Sequence, residues 1–410
     1  MQVMGIRNRR LAGLVLAAGA GGGVLGAAYL GLLRLTNRLI GPTHWATLPH
    51  LAFMAGAGLA IAVLTRWLGN PPNMELMVDN IHLSGGSDDL ATLPSLVPIS
   101  LLCVGVGGGL GPEAPLVQTT GSFGSWLALR GHVATHEMRI ITITAMAAGF
   151  TVLFGAPVGS AIFALEILHR RGLEYYEALV PALTGSLCGY LVYALLSRSG
   201  FGPVFTFPDA GALRAVDFAW AIGCGVVGAG VAWVFSYGSR AAVRAAGVLP
   251  PLARPVVGGV ALGLLAFASP YALTNGELQI DHVTAVHLSV LALLGAAAAK
   301  LIGTSVTMAA EWRGGFIIPL FFMGACLGTA AHVQFHHANQ WVLVTALMVA
   351  CNVGVTKTPL GSTLVVAEMA GMAMLPTSLV AAIVALVLTS QIDLIHTQRE
   401  REPRPEPEPA

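Results

Sequence analysis

The fold of this chain is decided by two short stretches, GPEAPL at residues 111–116 and GFIIPL at residues 315–320. Both contain a glycine, a Pro-Leu pair and a further glycine eight positions after the leucine, and their prolines lie 204 positions apart. A second pair, PVGS at 157–160 and PLGS at 359–362, recurs with an offset of 202. Two matched halves, each interrupted by glycine and proline, predict an internally duplicated membrane transporter.

Composition supports a membrane protein. The 410 residues are 55% hydrophobic and only 10% charged, whereas soluble domains carry about 25% charged residues. A large soluble protein is therefore disfavoured, and the net charge of +1 gives no sign of nucleic-acid binding. None of the five cysteines forms a metal-ligand spacing, so no metal or cofactor is expected.

The apolar segments fall into two classes by length, those long enough to cross a bilayer and shorter ones interrupted by the repeated glycine and proline motifs. Segments long enough to cross a bilayer occupy 11–35, 45–68, 174–197, 214–237, 250–269 and 285–309. Shorter pieces lie at 94–110, 114–129, 138–150, 155–169, 315–331, 339–352, 357–371 and 376–392. Broken helices occur at membrane depth only where their backbone is buried or lines a cavity, so the repeats should mark a pathway.

This pattern predicts an all-α integral membrane protein of two half-repeats, residues 1–198 and 214–398. Residues 199–213 form the linker loop, 270–284 form another loop, and 399–410 form a disordered charged cytoplasmic tail. Arginines before the first span and after the last favour cytoplasmic termini and a retained first span rather than a signal peptide. They are Arg7, Arg9, Arg10, Arg399, Arg401 and Arg404.

Glu113 is the strongest single functional candidate. It begins an apolar helix directly after Pro112, which suits the first helical turn. Free N–H groups and the partial positive charge at that turn attract an anion, and a glutamate can occupy the site until an anion displaces it or a proton neutralises it. The alternative is a simple acidic helix cap, but a carboxylate within an apolar segment is functional by default. The equivalent position in the second half is Ile317.

These residues resemble a known family. Residues 109–118 (GLGPEAPLVQ) are similar to the gating-glutamate motif of the CLC family of chloride channels and chloride/proton antiporters, here a bacterial type without cytoplasmic regulatory domains. Residues 314–319 (GGFIIP) resemble its second anion-binding motif, and 155–166 resembles the stretch at its dimer interface. The resemblance implies a CLC-type fold of two inverted-topology repeats of tilted and broken helices, forming a homodimer with one anion pathway per subunit.

The resemblance also implies a set of anion-binding residues, some of which depart from the family pattern. The usual arginine before the gating glutamate is Pro112. The usual first-motif serine is absent near residue 70, where Asn70 or Asn73 could donate an amide N–H; a plain turn is the alternative. The central tyrosine is also missing, and Ile395 stands in its place. The expected anion site comprises Asn70, Asn73, Gly111, Pro112, Glu113, Phe316, Ile317, Ile318 and Ile395.

Proton coupling is left open at this point. Antiporters of this family often carry a second glutamate directly after the position matched by Glu166, but here that residue is Ile167, which favours a channel. Glu166 could still belong to a proton path, or it could be a packing carboxylate satisfied by backbone, as could Glu368. Arg313 adds positive potential to a vestibule or anchors the chain at the interface.

The predicted function is chloride or halide transport through a glutamate-gated pathway, as a channel or as a chloride/proton antiporter. A fluoride-selective exporter of the same family is the first alternative, because that subclass also lacks the serine and the tyrosine. A membrane enzyme is disfavoured, since no His-Glu-x-x-His or paired metal-diphosphate motif is present. The expected partners are a small anion, protons in the case of exchange, the lipid bilayer of the inner membrane and a second copy of the chain.

Overall fold

The computed structural model describes residues 9–42, 47–71, 74–83, 86, 90–170, 173–197, 202, 207–208, 211–285 and 287–398. This part of the chain is almost wholly helical, and its only β-type pairing is an isolated bridge between Gly111 and Gly315. The predicted all-α membrane architecture is confirmed. Asn73 and the predicted tail at 399–410 lie outside the described residues.

The α-helices of the first half precede the connection between Ser197 and Ala215, which is only partly described. They are α1 (Arg9–Ile40), α2 (Thr47–Leu68), α3 (Met74–Leu83), α4 (Leu93–Gly105), α5 (Glu113–Arg130), α6 (Thr135–Phe154), α7 (Pro157–Glu166) and α8 (Leu179–Ser197). Those that follow are α9 (Ala215–Ala246), α10 (Ala253–Ala268), α11 (Glu277–Ala285), α12 (Val290–Ala309), α13 (Ile317–Gln334), α14 (Gln340–Thr356), α15 (Pro359–Ala370) and α16 (Leu375–Leu388).

Seven of the described helices are long and apolar enough to cross a membrane, and six shorter apolar helices accompany them. Residues 250–269, predicted above to be long enough to span, form only the shorter helix α10. Helix α6 is buried along nearly its whole length. Helices α1 and α9 instead leave leucines and valines exposed on one side, which a lipid environment tolerates and water does not. The motifs at residues 111–116 and 315–320 are almost wholly buried and therefore lie in the protein interior.

The two halves break their helices in the same way. Helix α6 ends at Phe154, and Gly155 takes a left-handed conformation before α7 begins at Pro157. Helix α14 ends at Thr356, and Lys357 takes the same conformation before α15 begins at Pro359. A left-handed residue followed by proline is an efficient stop and restart.

One predicted loop is wrong. The sequence analysis assigned 270–284 to a loop, but residues 277–285 form helix α11. The side-chain oxygen of Asn275 accepts a hydrogen bond from the Glu277 N–H at 3.1 Å, and Gly276 has a φ of 93°. Ile280 and Val283 are fully buried, so local capping and tertiary packing together stabilise a helix that composition did not indicate.

Candidate anion site between two helix N-termini

The motifs GPEAPL (residues 111–116) and GFIIPL (residues 315–320) meet face to face. Gly111 and Gly315 exchange two backbone hydrogen bonds, each with an N···O distance of 2.7 Å. A Cβ added at Gly315 would lie 2.8 Å from Oε2 of Glu113, and one added at Gly111 would lie 2.1 Å from it. Glycine is therefore required at both positions if the two turns and the carboxylate are to fit together.

Two helix N-termini lie beside this bridge. Helix α5 begins at Glu113 after Pro112, and α13 begins at Ile317 after Phe316. Neither Pro112 nor Phe316 caps its helix with a side-chain hydrogen bond. The first N–H groups of a helix have no partner within the helix and carry a partial positive charge. The arrangement therefore creates a site that favours an anion.

The carboxylate of Glu113 occupies part of that site. Its Oε1 accepts a hydrogen bond from the Ile318 N–H of the opposite half, with an N···O distance of 2.5 Å. The side chain is 1% exposed, and Oε2 has no hydrogen-bond partner among the described residues. A residue of the first half thus supplies the anion at the helix N-terminus of the second half.

A cavity of about 530 Å³ reaches this carboxylate. The buried residues of its lining include Glu113, Gln118, Ile317 and Ile395, so these mark its deep end. Its exposed lining includes Arg244 and His396, and the partly exposed Arg240 and Arg313 also contribute. The cavity therefore runs from a mainly basic mouth, to which the partly exposed Glu311 also contributes, to the two helix N-termini.

The structure brings together most of the anion-site residues named above, in different ways. Glu113, Phe316, Ile317 and Ile395 line the cavity, and Ile318 donates its N–H to the carboxylate. The N–H of Gly111 is used in the bridge to Gly315, and Pro112 has no N–H to donate. These two residues shape the turn while their neighbours supply the free amides.

Asn70 lies elsewhere. It is exposed, it is not part of the cavity lining, and its Oδ1 accepts a hydrogen bond from the Arg313 guanidinium at 2.6 Å. Arg313 itself does line the cavity. Asn70 is therefore connected to the cavity only through the side chain of Arg313, among the contacts described.

Glu166 and Glu368 form a reciprocal pair of contacts across the two halves. Glu166, on α7, accepts hydrogen bonds from the N–H groups of Leu360 and Gly361 at the start of α15, at 3.1 and 2.6 Å. Glu368, on α15, accepts hydrogen bonds from those of Val158 and Gly159 at the start of α7, at 3.3 and 2.5 Å. Each glutamate is thus the N-terminal cap of the other's helix.

The cavity mouth contains residues that the sequence analysis missed. Arg240 and Arg244 lie one helical turn apart near the end of α9 and both line the cavity. Their spacing of four residues puts them on one face of the helix. That signal was present in the sequence, but it did not indicate that this helix end faces the same cavity as Glu113.

Comparison with known proteins supports the architecture described above. Residues 57–390 match the family model described as voltage gated chloride channel. A chloride/fluoride channel protein of Pseudomonas syringae pv. tomato is 26% identical, over 95% of this chain and 85% of its own length. A voltage-gated ClC-type chloride channel ClcB of Shigella flexneri is 24% identical, over 87% of this chain and 86% of its own.

Two solved structures have the same fold. A CLC-type fluoride/proton antiporter superposes with a TM-score of 0.80 at 22% identity, covering 95% of this chain and 97% of its own. A slow cyanobacterial Cl⁻/H⁺ antiporter superposes with a TM-score of 0.82 at 18% identity, covering 94% and 95%. The arrangement of the described helices is therefore shared with transporters of known structure.

Proposed function

Because the chain belongs to the voltage gated chloride channel family, a family of anion transporters and channels, we propose that Glu113 is its gate and that a halide is exchanged for a proton there. The observation that carries this proposal is the hydrogen bond from the Ile318 N–H to the Glu113 carboxylate. A transported anion needs the same donor. Glutamate and halide therefore compete for one site.

Protonation is the natural way to release the gate. A carboxylate binds a helix N-terminus through its charge, and a neutral carboxyl group loses most of that attraction while gaining an O–H donor. A halide can then enter as the proton arrives. Since the carboxylate is 1% exposed and closes the deep end of the cavity, exchange is favoured over a permanently open channel.

Fluoride is the second candidate substrate. The missing tyrosine is replaced by Ile395, a buried apolar residue of the cavity lining. The relative from Pseudomonas syringae is named as a chloride/fluoride channel protein, and one of the solved structures is a fluoride/proton antiporter. A site formed mainly of backbone amides suits a small, strongly hydrogen-bonding anion, so chloride and fluoride must be tested separately.

We further propose that the chain is a homodimer in the bacterial inner membrane, with both termini in the cytoplasm. Arginines flank both ends of the chain, in keeping with the positive-inside rule. The reciprocal pair α7 and α15 leaves Val158 and Leu360 exposed at equivalent positions. A matched apolar surface from both halves suits a twofold interface.

Cysteine cross-linking at Leu360→Cys in membranes should give a covalent dimer. If this variant is cross-linked only to other proteins, the dimer proposal is contradicted.

Proteoliposome flux tests the function directly. Wild-type protein should move chloride or fluoride, and an imposed proton gradient should drive that halide uphill. Glu113→Gln should abolish proton-driven accumulation, reducing proton flux about 100-fold, while halide still moves passively. Halide flux that ignores the proton gradient in the wild type would show a channel. Absence of flux for both halides would refute the transport proposal.

A further inference from the structure

Gln118 places a buried side-chain amide in the wall of the anion cavity. It lies in the second turn of α5, five residues after Glu113, and both side chains line the cavity. Gln118 is 1% exposed, and its Nε2 has no hydrogen-bond partner among the described residues. Leaving a buried amide unpaired costs free energy. The expected partner of this amide is therefore an occupant of the cavity.

Other buried polar side chains of the cavity lining have partners within the protein. Oγ of Ser239 lies 3.0 Å from Oγ of Ser305. Thr356 Oγ1 donates a hydrogen bond to the Asn352 carbonyl oxygen at 2.9 Å, and Trp312 Nε1 donates to a main-chain carbonyl oxygen at 3.1 Å. An unpaired donor is therefore not a general feature of this cavity wall.

The polar residues that follow Gln118 are satisfied within the helix. The Thr119 hydroxyl donates to the Pro115 carbonyl oxygen at 2.7 Å, and the Thr120 hydroxyl donates to a carbonyl oxygen three residues earlier at 3.1 Å. Long side chains on a helix lean toward its N-terminus. The amide of Gln118 is therefore directed back toward the turn that begins with Glu113.

The repeat has the same asymmetry at Gln118 as at the proposed gate. An offset of 204 positions matches Glu113 with Ile317, and it matches Gln118 with Phe322. Phe322 is fully buried, is not part of the cavity lining, and has its ring centre 5.0 Å from Nζ of Lys300. At both positions the first half carries the polar side chain and the second half carries an apolar one. The shared architecture therefore does not require an amide at this position.

The surroundings of the amide favour an anion over a water molecule. The N-termini of α5 and α13 give this end of the cavity a partial positive charge. An amide NH₂ group adds two hydrogen-bond donors without adding a charge. It can therefore strengthen the binding of an anion that must also be released.

We infer that the side-chain amide of Gln118 donates a hydrogen bond to the transported halide and favours fluoride over chloride there. This inference rests on the proposed transport function and adds a halide-binding residue to it. While Glu113 is charged, its Oε1 accepts the Ile318 N–H and the carboxylate excludes the halide. A proton added to Oε2, the oxygen without a described partner, turns it into a donor. The Glu113 O–H and the Gln118 N–H then both donate to the halide.

Fluoride should depend on this amide more than chloride does. The smaller ion concentrates its charge and is the stronger hydrogen-bond acceptor, so the loss of one donor costs it more free energy. The apolar side chains of the lining, such as Ile395, offer no replacement donor. Removing the amide should therefore lower the affinity for fluoride first.

Equilibrium binding tests the inference without transport. Purified full-length protein in detergent at pH 7 is titrated with sodium chloride or sodium fluoride by isothermal titration calorimetry, in a gluconate buffer. Glu113→Gln removes the competing charge, and Gln118→Met is then added, because methionine has a similar length and no amide. We expect the added substitution to raise the fluoride Kd about tenfold and the chloride Kd by a smaller factor.

Thermal unfolding separates halide binding from a structural role. In halide-free buffer, Gln118→Met should keep or raise the melting temperature, because it removes a buried amide that has no described partner. Added fluoride should then stabilise the variant less than its parent, since a ligand stabilises the state that it binds. A lower melting temperature in halide-free buffer would show that the amide supports the fold and would overturn the inference. If Gln118→Met does not fold, Gln118→Leu replaces it, and loss of folding in both variants also overturns the inference.

Thr119→Val is the matched control. It removes a polar group from the adjacent position of α5, where the hydroxyl is already paired with the Pro115 carbonyl oxygen and does not line the cavity. In the Glu113→Gln background it should leave both halide Kd values unchanged. An equal loss of affinity in Thr119→Val and Gln118→Met would mean that any change in α5 disturbs the site, and the inference would be wrong.

The results distinguish this inference from the proposed function. If Glu113→Gln binds neither halide, the proposed halide site and this inference fall together. If it binds halides and Gln118→Met changes neither Kd, the amide pairs with water only, and this inference alone is overturned. Weaker fluoride binding in Gln118→Met supports the inference even where flux is not driven by protons, because the binding measurement does not depend on exchange.

Discussion

The two repeated motif pairs differ in whether both halves, or only one, supply a carboxylate to a helix N-terminus of the opposite half. At the Glu166 and Glu368 pair, each half supplies a carboxylate to the helix N-terminus of the other half. At the Glu113 and Ile317 pair, only the first half does so. Three half-helix N-termini thus receive a carboxylate from the opposite half. The fourth, that of α5, has no side-chain cap at Pro112, and Ile317 has no oxygen to offer it.

This difference separates stability from transport. Carboxylates that are matched by symmetry satisfy helix ends permanently, as structural caps do. The unmatched Glu113 faces a site at which the N-terminus of α5 receives no carboxylate from the opposite half. We propose that a mobile anion binds beside this helix end and competes with Glu113 for the Ile318 N–H, so that Glu113 is the only one of the three carboxylates with a competitor.

The most direct test of this difference is to introduce a carboxylate at residue 317, the position equivalent to Glu113. Ile317→Glu should place a charged side chain at the N-terminus of α5 and oppose halide binding. A carboxylate at a helix N-terminus is worth up to about 2 kcal/mol, which lowers halide flux about 10- to 30-fold at neutral pH. Halide efflux from proteoliposomes measures it, and acidification should restore part of the flux by neutralising the new side chain.

Ile317→Gln is the matched control, with similar size and no charge. It should retain most of the halide flux. Equal losses in the glutamate and glutamine variants would show that bulk at residue 317 decides the effect, and the open-end explanation would then be wrong.

Removing the symmetric caps should instead affect stability. Glu166→Gln leaves two N–H groups of α15 with a weaker acceptor inside the protein, at a cost of about 2 kcal/mol. Glu368→Gln should cost about 1 kcal/mol, because Glu368 is more exposed than the 1% exposed Glu166. Thermal unfolding in one detergent measures both, and transport per folded molecule should remain.

The same two variants test the proton-path hypothesis for Glu166. Glu368→Gln is its natural control, because it removes the equivalent cap in the other half. If Glu166→Gln selectively lowers proton flux while Glu368→Gln does not, Glu166 takes part in proton movement as well as in capping.

The sequence predicted much of this comparison but not its contacts. The spacing of the repeats indicated where helices break and that Glu113 and Ile317 are equivalent. It did not reveal the bridge between Gly111 and Gly315 or the acceptors of the Leu360 and Gly361 N–H groups. These contacts join residues about 200 positions apart, and they depend on how the two halves fold against one another.

Short-range signals were also misread in places. Residues 277–284 were assigned to a loop, although the side-chain oxygen of Asn275 accepts the Glu277 N–H just before the helix begins. Arg240 and Arg244 lay on one helix face, but only the tertiary structure shows that they share a cavity with Glu113.

A smaller change should sharpen the role of the glycine bridge. In Gly315→Ala the new methyl group would lie 2.8 Å from Oε2 of Glu113 and 3.0 Å from the Ala114 nitrogen, so the carboxylate must shift. Overpacking of this kind costs about 1 kcal/mol, which should raise halide flux at neutral pH about fivefold by weakening the closed gate. Gly295→Ala, with open space at its Cβ, is the control, and an unchanged flux in Gly315→Ala would contradict the tight fit.

The smallest effect is expected at the cavity mouth, away from the repeated caps. Asp393 lies beyond α16 and forms an ion pair with Arg240, a residue of the cavity lining. The hydrogen bond from Arg240 holds the pKa of Asp393 below its usual value, against the opposing effect of partial burial. The stabilisation is therefore complete above the ordinary carboxyl pKa of about 4 and is lost as the pH falls below it.

Because Asp393 is 39% exposed, Asp393→Asn should change the free energy of unfolding by less than about 1 kcal/mol. The variant removes the carboxylate partner of Arg240, which keeps its hydrogen bond to the main-chain carbonyl of residue 393. It adds one net positive charge to the mouth, so halide flux should rise slightly at low salt and match wild type at high salt. Flux measured at two ionic strengths checks this. A large fall in flux would mean that the ion pair positions Ile395 at the deep end, and the mouth would then be part of the gate rather than an electrostatic guide to it.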